Sequence, residues 1–178
     1  IRISRCLAKA GLASRREAEK LILDGRVTLN GETVVEPWKN CTKKDLLKLD
    51  GIIVSQSIST SLHALHKPRG YLSTSKDALG RKTIFDLIDG RLQHLMIIGR
   101  LDYNSEGLMI LTNNGELKRY LELPKNNFER VYKVKIRGHL TNSNLTKIER
   151  GVSLEGLNYK PIVARVLESN KSYSWIEM

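Results

Sequence analysis

The stretch "IIGRLDYNSEGLMILTNNG", residues 97–115, decides the fold. An apolar run at 95–98 leads into Gly99, Arg100, Leu101 and Asp102, and a second run at 108–111 leads out. Short apolar runs bounded by glycine and polar residues read as buried strands. A connection between such strands is usually polar throughout, yet here an Arg and an Asp frame a leucine where the chain leaves its core. Residue types alone leave Asp102 with two readings. It closes a turn with its side chain, as Asp commonly does between strands, or it is a catalytic carboxylate. Arg100 lies two residues away, so in an extended segment both side chains can face one cleft. The flanking apolar runs place the carboxylate at the edge of a dry core, where electrostatic interactions are strong.

Length and composition bound the rest. The chain has 178 residues, of which 40% are hydrophobic and 28% charged, enough for one large or two small globular domains. No apolar run approaches the roughly 20 residues that span a bilayer, and none at the start resembles a signal peptide. The first residue is Ile1, so the natural N-terminus is expected upstream. Cys6 and Cys41 sit in no paired-motif spacing and are expected to be reduced thiols of a cytoplasmic protein. His63 and His66 have no cluster of other ligand types to complete a metal set, and read as two positions of a strand. Charge carries the strongest signal. The 30 Lys and Arg against 19 Asp and Glu give a net charge of +11. Such an excess points to a polyanionic partner, nucleic acid foremost.

The stretch "SQSISTS" at 55–61 has no charge and no aromatic residue, and reads as a linker. It divides the chain into a small unit, 1–54, and a larger one, 62–178. In the small unit, "ISRCLAKAG" reads as a helix closed by Gly11. "SRREAEKLILDG" reads as a second helix, with Ser14 and Glu17 in capping-box spacing. Arg15, Arg16 and Lys20 lie off its apolar face near the N-terminal end, where free N–H groups and the helix dipole favour phosphate; taken alone, they fit a solvated helix face equally well. "RVTLNGETV" is a hairpin turning at Asn30 and Gly31, and "LLKLDGIIV" supplies a strand pair around Asp50 and Gly51.

The larger unit reads as a strand over "HALHK", a short helix at "TIFDLI", and two strands flanking Asp102. A helix follows Asn114 and stops before Pro124, and "RVYKVKIRG" reads as a strand. A further helix is capped by Ser143 and ended by Gly151, and two strands close the chain. The class is α+β with a mainly antiparallel sheet.

Two resemblances make this specific. Residues 1–50, with "RISRCLAKAGLASRREAEKLILDGRVTLNGETV", resemble the RNA-binding domain named after the fourth small-subunit ribosomal protein. That likeness implies a helical face laid on structured RNA, recognised by shape and backbone. "GRLDYNSEGLMILTNNG" resembles the "GRLDxxSxGLLLLTNDG" pattern of the ribosomal small-subunit/large-subunit branch of pseudouridine synthases, with Met109, Ile110 and Asn114 as mild departures. "HKPRGYLST" resembles that branch's "NKPxGxxST" strand, and "ERVYKV" its "EKxYxV" strand with Arg130 in place of Lys.

The second resemblance implies isomerisation of a uridine in ribosomal RNA without any cofactor or metal, with a lean toward the large-subunit members. The glycosidic bond breaks, the base turns in the site, and a carbon–carbon bond forms. A stacked base is out of reach, so it is flipped into a pocket. The likeness assigns the essential carboxylate to Asp102, the stacking platform to Tyr132, and a grip on phosphate or carboxylate to Arg100. Tyr132 read without the motif is a core aromatic of a strand. The branch continues past the "SWIEM" strand into a basic segment like "EGKNRQVRRM", whereas this sequence stops at Met178, so it is expected to be a fragment or to lack that segment. A second reading is therefore a non-catalytic RNA-binding ribosome-assembly factor on the same fold. Either protein is expected to be a cytoplasmic monomer partnered by ribosomal RNA and not by a membrane.

Overall fold

The computed structural model describes residues 1–56 and 59–178. By contacts the chain divides into two compact units, Ile1–Asn127 and Phe128–Met178. Part of the expected linker, residues 57–58, lies outside the described residues.

The first unit opens with α1 (Ile3–Lys9) and α2 (Arg15–Leu23). Ile3 and Leu7 stack one turn apart on α1, Ala18 and Ile22 on α2, and all four are fully buried. The predicted capping box of α2 is present: the Glu17 amide donates to Ser14 Oγ at 3.3 Å, and the Ser14 amide donates to Glu17 Oε2 at 2.9 Å. Strands β1 (Val27–Leu29), β2 (Glu32–Val34), β3 (Leu47–Leu49) and β4 (Ile52–Ile53) form an antiparallel sheet ordered β2-β1-β3-β4. Asn30 at φ 54° and Gly31 at φ 94° make the tight β1–β2 turn, a left-handed pair that Asn and Gly tolerate best. Val27, Val34 and Leu47 close this sheet onto the helices. Each such buried aliphatic side chain contributes about 1.5–3 kcal/mol. Cys6 and Cys41 belong to the same core as free thiols, their sulfurs 3.1 Å apart. Burial and the neighbouring Cys6 push the Cys41 thiol up to about 12.

The same unit continues with β5 (Leu62–Lys67), a 3-10 turn over Ile84–Leu87, β6 (Met96–Ile98), β7 (Gly107–Thr112) and α3 (Gly115–Glu122). The predicted "TIFDLI" helix is thus a single 3-10 turn. The Thr83 amide donates to Asp86 at 2.7 Å, tightening one turn, and the backbone is already extended at Ile88, with φ −116° and ψ 154°. The central strand β7 pairs antiparallel with β5 and β6. His63 and His66 both lie on β5, as read from the sequence. Ile84, Phe85, Leu95, Met109 and Leu111 form the buried core under this sheet. Asn114 caps α3, accepting from the amides of Glu116 and Leu117.

The second unit holds β8 (Lys133–Arg137), α4 (Asn142–Arg150), β9 (Val152–Leu154), β10 (Leu157–Tyr159), β11 (Arg165–Ser169) and β12 (Tyr173–Glu177). β12 lies between β11 and β8, antiparallel to both. Two details correct the sequence reading. The cap of α4 is Thr141, whose hydroxyl accepts from the Asn144 amide at 3.3 Å, so Ser143 falls inside the first turn. The β9–β10 hairpin was not foreseen. Its turn is Glu155 at φ 50° and Gly156, not an Asn-Gly or Asp-Gly pair, and its two strands are only three residues each.

Candidate active site

Why an Arg and an Asp frame a leucine is answered by the backbone between β6 and β7. Leu101 turns inward and packs on the Ile84–Phe85–Met109 core, while Arg100 and Asp102 on either side are exposed. Ser73 holds this rung from both sides: its hydroxyl donates to the Leu101 carbonyl at 2.6 Å and accepts from the Leu101 amide at 3.0 Å. Upstream, the Gly99 amide donates to Glu122 at the end of α3, at 2.8 Å. Downstream, Tyr103 O accepts from the Gly70 amide at 2.9 Å.

The main fastener is Lys67, the last residue of β5 and fully buried. Its Nζ donates to the carbonyls of Asp102 at 2.9 Å, Ser105 at 2.6 Å and Pro68 at 3.2 Å, with Tyr103 O at 3.5 Å. Burial pulls its ammonium below the usual lysine range, and the Asp102 carboxylate opposes that shift. The connection is thus closed entirely by its backbone, including a turn in which the Ser105 amide donates to Asp102 O at 3.0 Å. Among the described residues, the Asp102 carboxylate accepts no hydrogen bond and forms no ion pair. The turn-closing reading of Asp102 therefore fails: the turn uses its carbonyl and leaves its carboxylate unspent. Arg100 likewise has no ion pair among the described residues. The expected dry setting is corrected: both side chains stand in solvent, because the apolar runs end at Ile98 and only Leu101 reaches back to the core.

Lys67 and Ser73 were missed by sequence reasoning. The available signal was a lysine ending the strand "LHALHK" on the inward side of the alternation, where an unpaired charge is costly.

Tyr132 belongs to the second unit. It precedes β8 and continues its ladder, exchanging backbone hydrogen bonds with Met178 at 2.7 and 2.9 Å. Tyr132 is 42% exposed, so it is no core aromatic. Arg15, Arg16 and Lys20 are all exposed on α2, Arg16 and Lys20 opposite Ala18 and Ile22 and Arg15 at the first position of the helix. At the helix N-terminus the capping box engages the amides of Ser14 and Glu17, and hydrogen bonds from Ser14 hold the Glu17 carboxyl below its usual range.

Among the described residues no group of His, Cys, Asp and Glu side chains could hold a metal ion, and no helix is long and apolar enough to cross a membrane.

Comparison with known proteins fits this arrangement. A crystal structure of a pseudouridylate synthase superposes with a TM-score of 0.60 over 100% of this chain and 76% of that one, at 23% identity, which defines the class of fold. The family model for RNA pseudouridylate synthase matches residues 61–178, and that for the S4 domain matches residues 1–47. An RNA pseudouridine synthase of Rickettsia felis is 40% identical over 99% of this chain and 76% of its own length. The ribosomal large subunit pseudouridine synthase B of Bacillus subtilis is 38% identical over 96% of this chain and 69% of its own. The chain belongs to the RNA pseudouridylate synthase family, with an S4 domain ahead of the synthase.

Proposed function

We propose that this RNA pseudouridine synthase acts on ribosomal RNA, on a uridine of the large subunit, with Asp102 as the catalytic carboxylate and no cofactor. The observation that carries the reading is the unengaged Asp102 side chain on a loop fastened by other groups. A carboxylate that no hydrogen bond or ion pair among the described residues ties down is available to a substrate. The large-subunit assignment is supported by the likeness to the Bacillus subtilis enzyme.

The chemistry follows from these side chains. The target uridine leaves its stack and enters the site. Tyr132, with an exposed ring, receives the base by stacking. Arg100 grips a phosphate with its planar fork and holds the flipped nucleotide. The Asp102 anion then acts on the nucleotide as a nucleophile or as a base for a sugar proton. The loop is prefastened, so the carboxylate needs no reorganisation at that step. Arg15, Arg16 and Lys20 on the S4 domain hold the surrounding RNA through its phosphates. The protein works in the cytoplasm as a monomer.

Asp102→Asn tests this. The substitution is nearly isosteric and leaves every hydrogen bond of the loop in place. Folded protein that binds ribosomal RNA but forms pseudouridine slower by at least 10²–10⁴-fold is expected, that being the order of a general-base contribution. Turnover near the parent rate would reduce Asp102 to a bystander.

A further inference from the structure

The two faces of the β11-β12-β8 sheet differ in kind. One carries Val134, Ile136, Ser174 and Ile176, with Ser174 and Ile176 buried. The other carries Lys133, Lys135 and Arg137 from β8, all exposed, beside the partly exposed rings of Tyr173 and Trp175 on β12. Register fixes this: Tyr173 opposes Arg137, Trp175 opposes Lys135, and Glu177 opposes Lys133. The lysine ammonium groups lie over the rings, Lys133 at 5.0 Å from the Trp175 centroid and Lys135 at 4.3 Å from that of Tyr173. The acidic groups of this face are already engaged. Glu177 pairs with Arg165 at 2.7 Å, and Glu168 accepts from the Tyr173 hydroxyl at 2.8 Å. Among the described residues, no carboxylate lies within ion-pair distance of Lys133, Lys135 or Arg137.

We propose that this face is an RNA-binding platform, distinct from Asp102 and from the helix of the S4 domain. The three cations of β8 take successive backbone phosphates of a single-stranded segment, and Trp175 and Tyr173 stack against its bases. Residues on one face of a strand repeat every ~6.6–6.8 Å, so the cations form an evenly spaced row instead of a cluster. Cation–π contacts are weaker than charge-assisted hydrogen bonds to phosphate, so arriving RNA draws the lysines off the rings and bares them for stacking. Lysines on an edge strand also deter strand addition. That role leaves unexplained why the neighbouring strand presents two aromatic rings to the same side. Charge complementarity and the aromatic interleaving together select RNA over other polyanions. The proposal rests on the ribosomal RNA reading given above.

The test uses the full chain and transcribed large-subunit ribosomal RNA, with affinity measured across a salt series. Binding by the parent protein is read first; its absence would remove the ribosomal RNA reading and this proposal with it. Given binding, the K133Q/K135Q/R137Q variant is expected to flatten the slope of log affinity against log salt by about 2, at about 0.7 per lost phosphate contact on a single strand. The K133R/K135R variant keeps the parent slope. In a Trp38→Phe background Trp175 is the sole tryptophan, and its emission is quenched by saturating RNA. An unchanged slope in the glutamine variant with parent RNA binding intact overturns the platform and leaves the ribosomal RNA reading standing. So does a Trp175 signal indifferent to RNA, or cation-dependent binding to phosphatidylglycerol vesicles with RNA affinity unaltered.

Discussion

Two loops of the first unit carry an aspartate near a glycine, and they spend it in opposite ways. In the loop at 74–81, the Asp77 carboxylate is the fastener. It accepts from the Leu79 and Arg81 amides at 3.1 and 3.0 Å, and from the Arg81 guanidinium at 3.1 and 2.8 Å. In the loop at 99–106 the fasteners are Lys67 and Ser73, and among the described residues the Asp102 carboxylate accepts no hydrogen bond, its charge only favouring the Lys67 ammonium. The contrast separates an aspartate that its loop depends on from one proposed to serve a substrate, by the bonds that each loop could lose without it.

Exchanging the two phenotypes would break that contrast, and this is the largest effect expected. Asp102→Asn should abolish pseudouridine formation while leaving the protein folded and every hydrogen bond of the loop in place; the stabilising contribution it removes is the charge that favours the buried Lys67 ammonium. Asp77→Asn should leave catalysis measurable but expose the 74–81 loop to proteolysis. Loss of activity in the second variant alone would reverse the assignment.

Next in size is the platform at Tyr132. Tyr132→Leu should weaken productive RNA binding by on the order of 1–3 kcal/mol, the worth of one stacked base. Tyr132→Phe should be mild, because the ring face survives. Equal damage from both would transfer the role from the ring to its hydroxyl.

Lys67→Met sharpens the comparison from the other side. It strips the Ser105 carbonyl of its donor and leaves the Asp102 carbonyl only the Ser105 amide, and an unsatisfied buried group costs about 1–3 kcal/mol. Urea denaturation should report that loss, and activity should fall although Asp102 itself is untouched. Parent-like stability would mean that the loop does not depend on the lysine.

The smallest effect is an acid one. Hydrogen bonds from the Arg81 guanidinium and then its amide hold the Asp77 carboxyl down at about 2. A depressed carboxylate stabilises the folded state above its ordinary value near 4. That contribution fades as pH falls through about 2. Proteolysis of the 74–81 loop should therefore rise on acidification toward that value, and Asp77→Asn should flatten the dependence. A loop equally protected at both ends of that range would detach it from Asp77.

Much of this was legible in the sequence. The helices of residues 1–54 announce themselves through Ile3, Leu7, Ala18 and Ile22 at helical spacing and through the Ser14–Glu17 box, because local chemistry sets them. The strands flanking Asp102 were legible as apolar runs, and Arg100 and Asp102 as the anomaly between them. The role of Lys67 was not, since its acceptors lie 35 to 38 residues away and only the folded β5–β7 pairing brings them within reach. The β9–β10 hairpin was invisible for the opposite reason. Its strands, Val152–Leu154 and Leu157–Tyr159, are three residues each, too short for their alternation to stand out, and the turn between them is Glu-Gly instead of Asn-Gly or Asp-Gly.

The β5–β7 ladder pairs Leu62 with Thr112 and Lys67 with Gly107, and Lys67 faces inward only in that register. A slip of one residue turns every side chain of β5 to the other face. His66 would then occupy the inward position, with a side chain too short to span the carbonyls that Lys67 gathers. Misaligned sheets therefore cannot display the aspartate correctly. The Asp102 loop doubles as an inspection gauge for strand alignment, and a molecule that has threaded its sheet wrongly cannot assemble it.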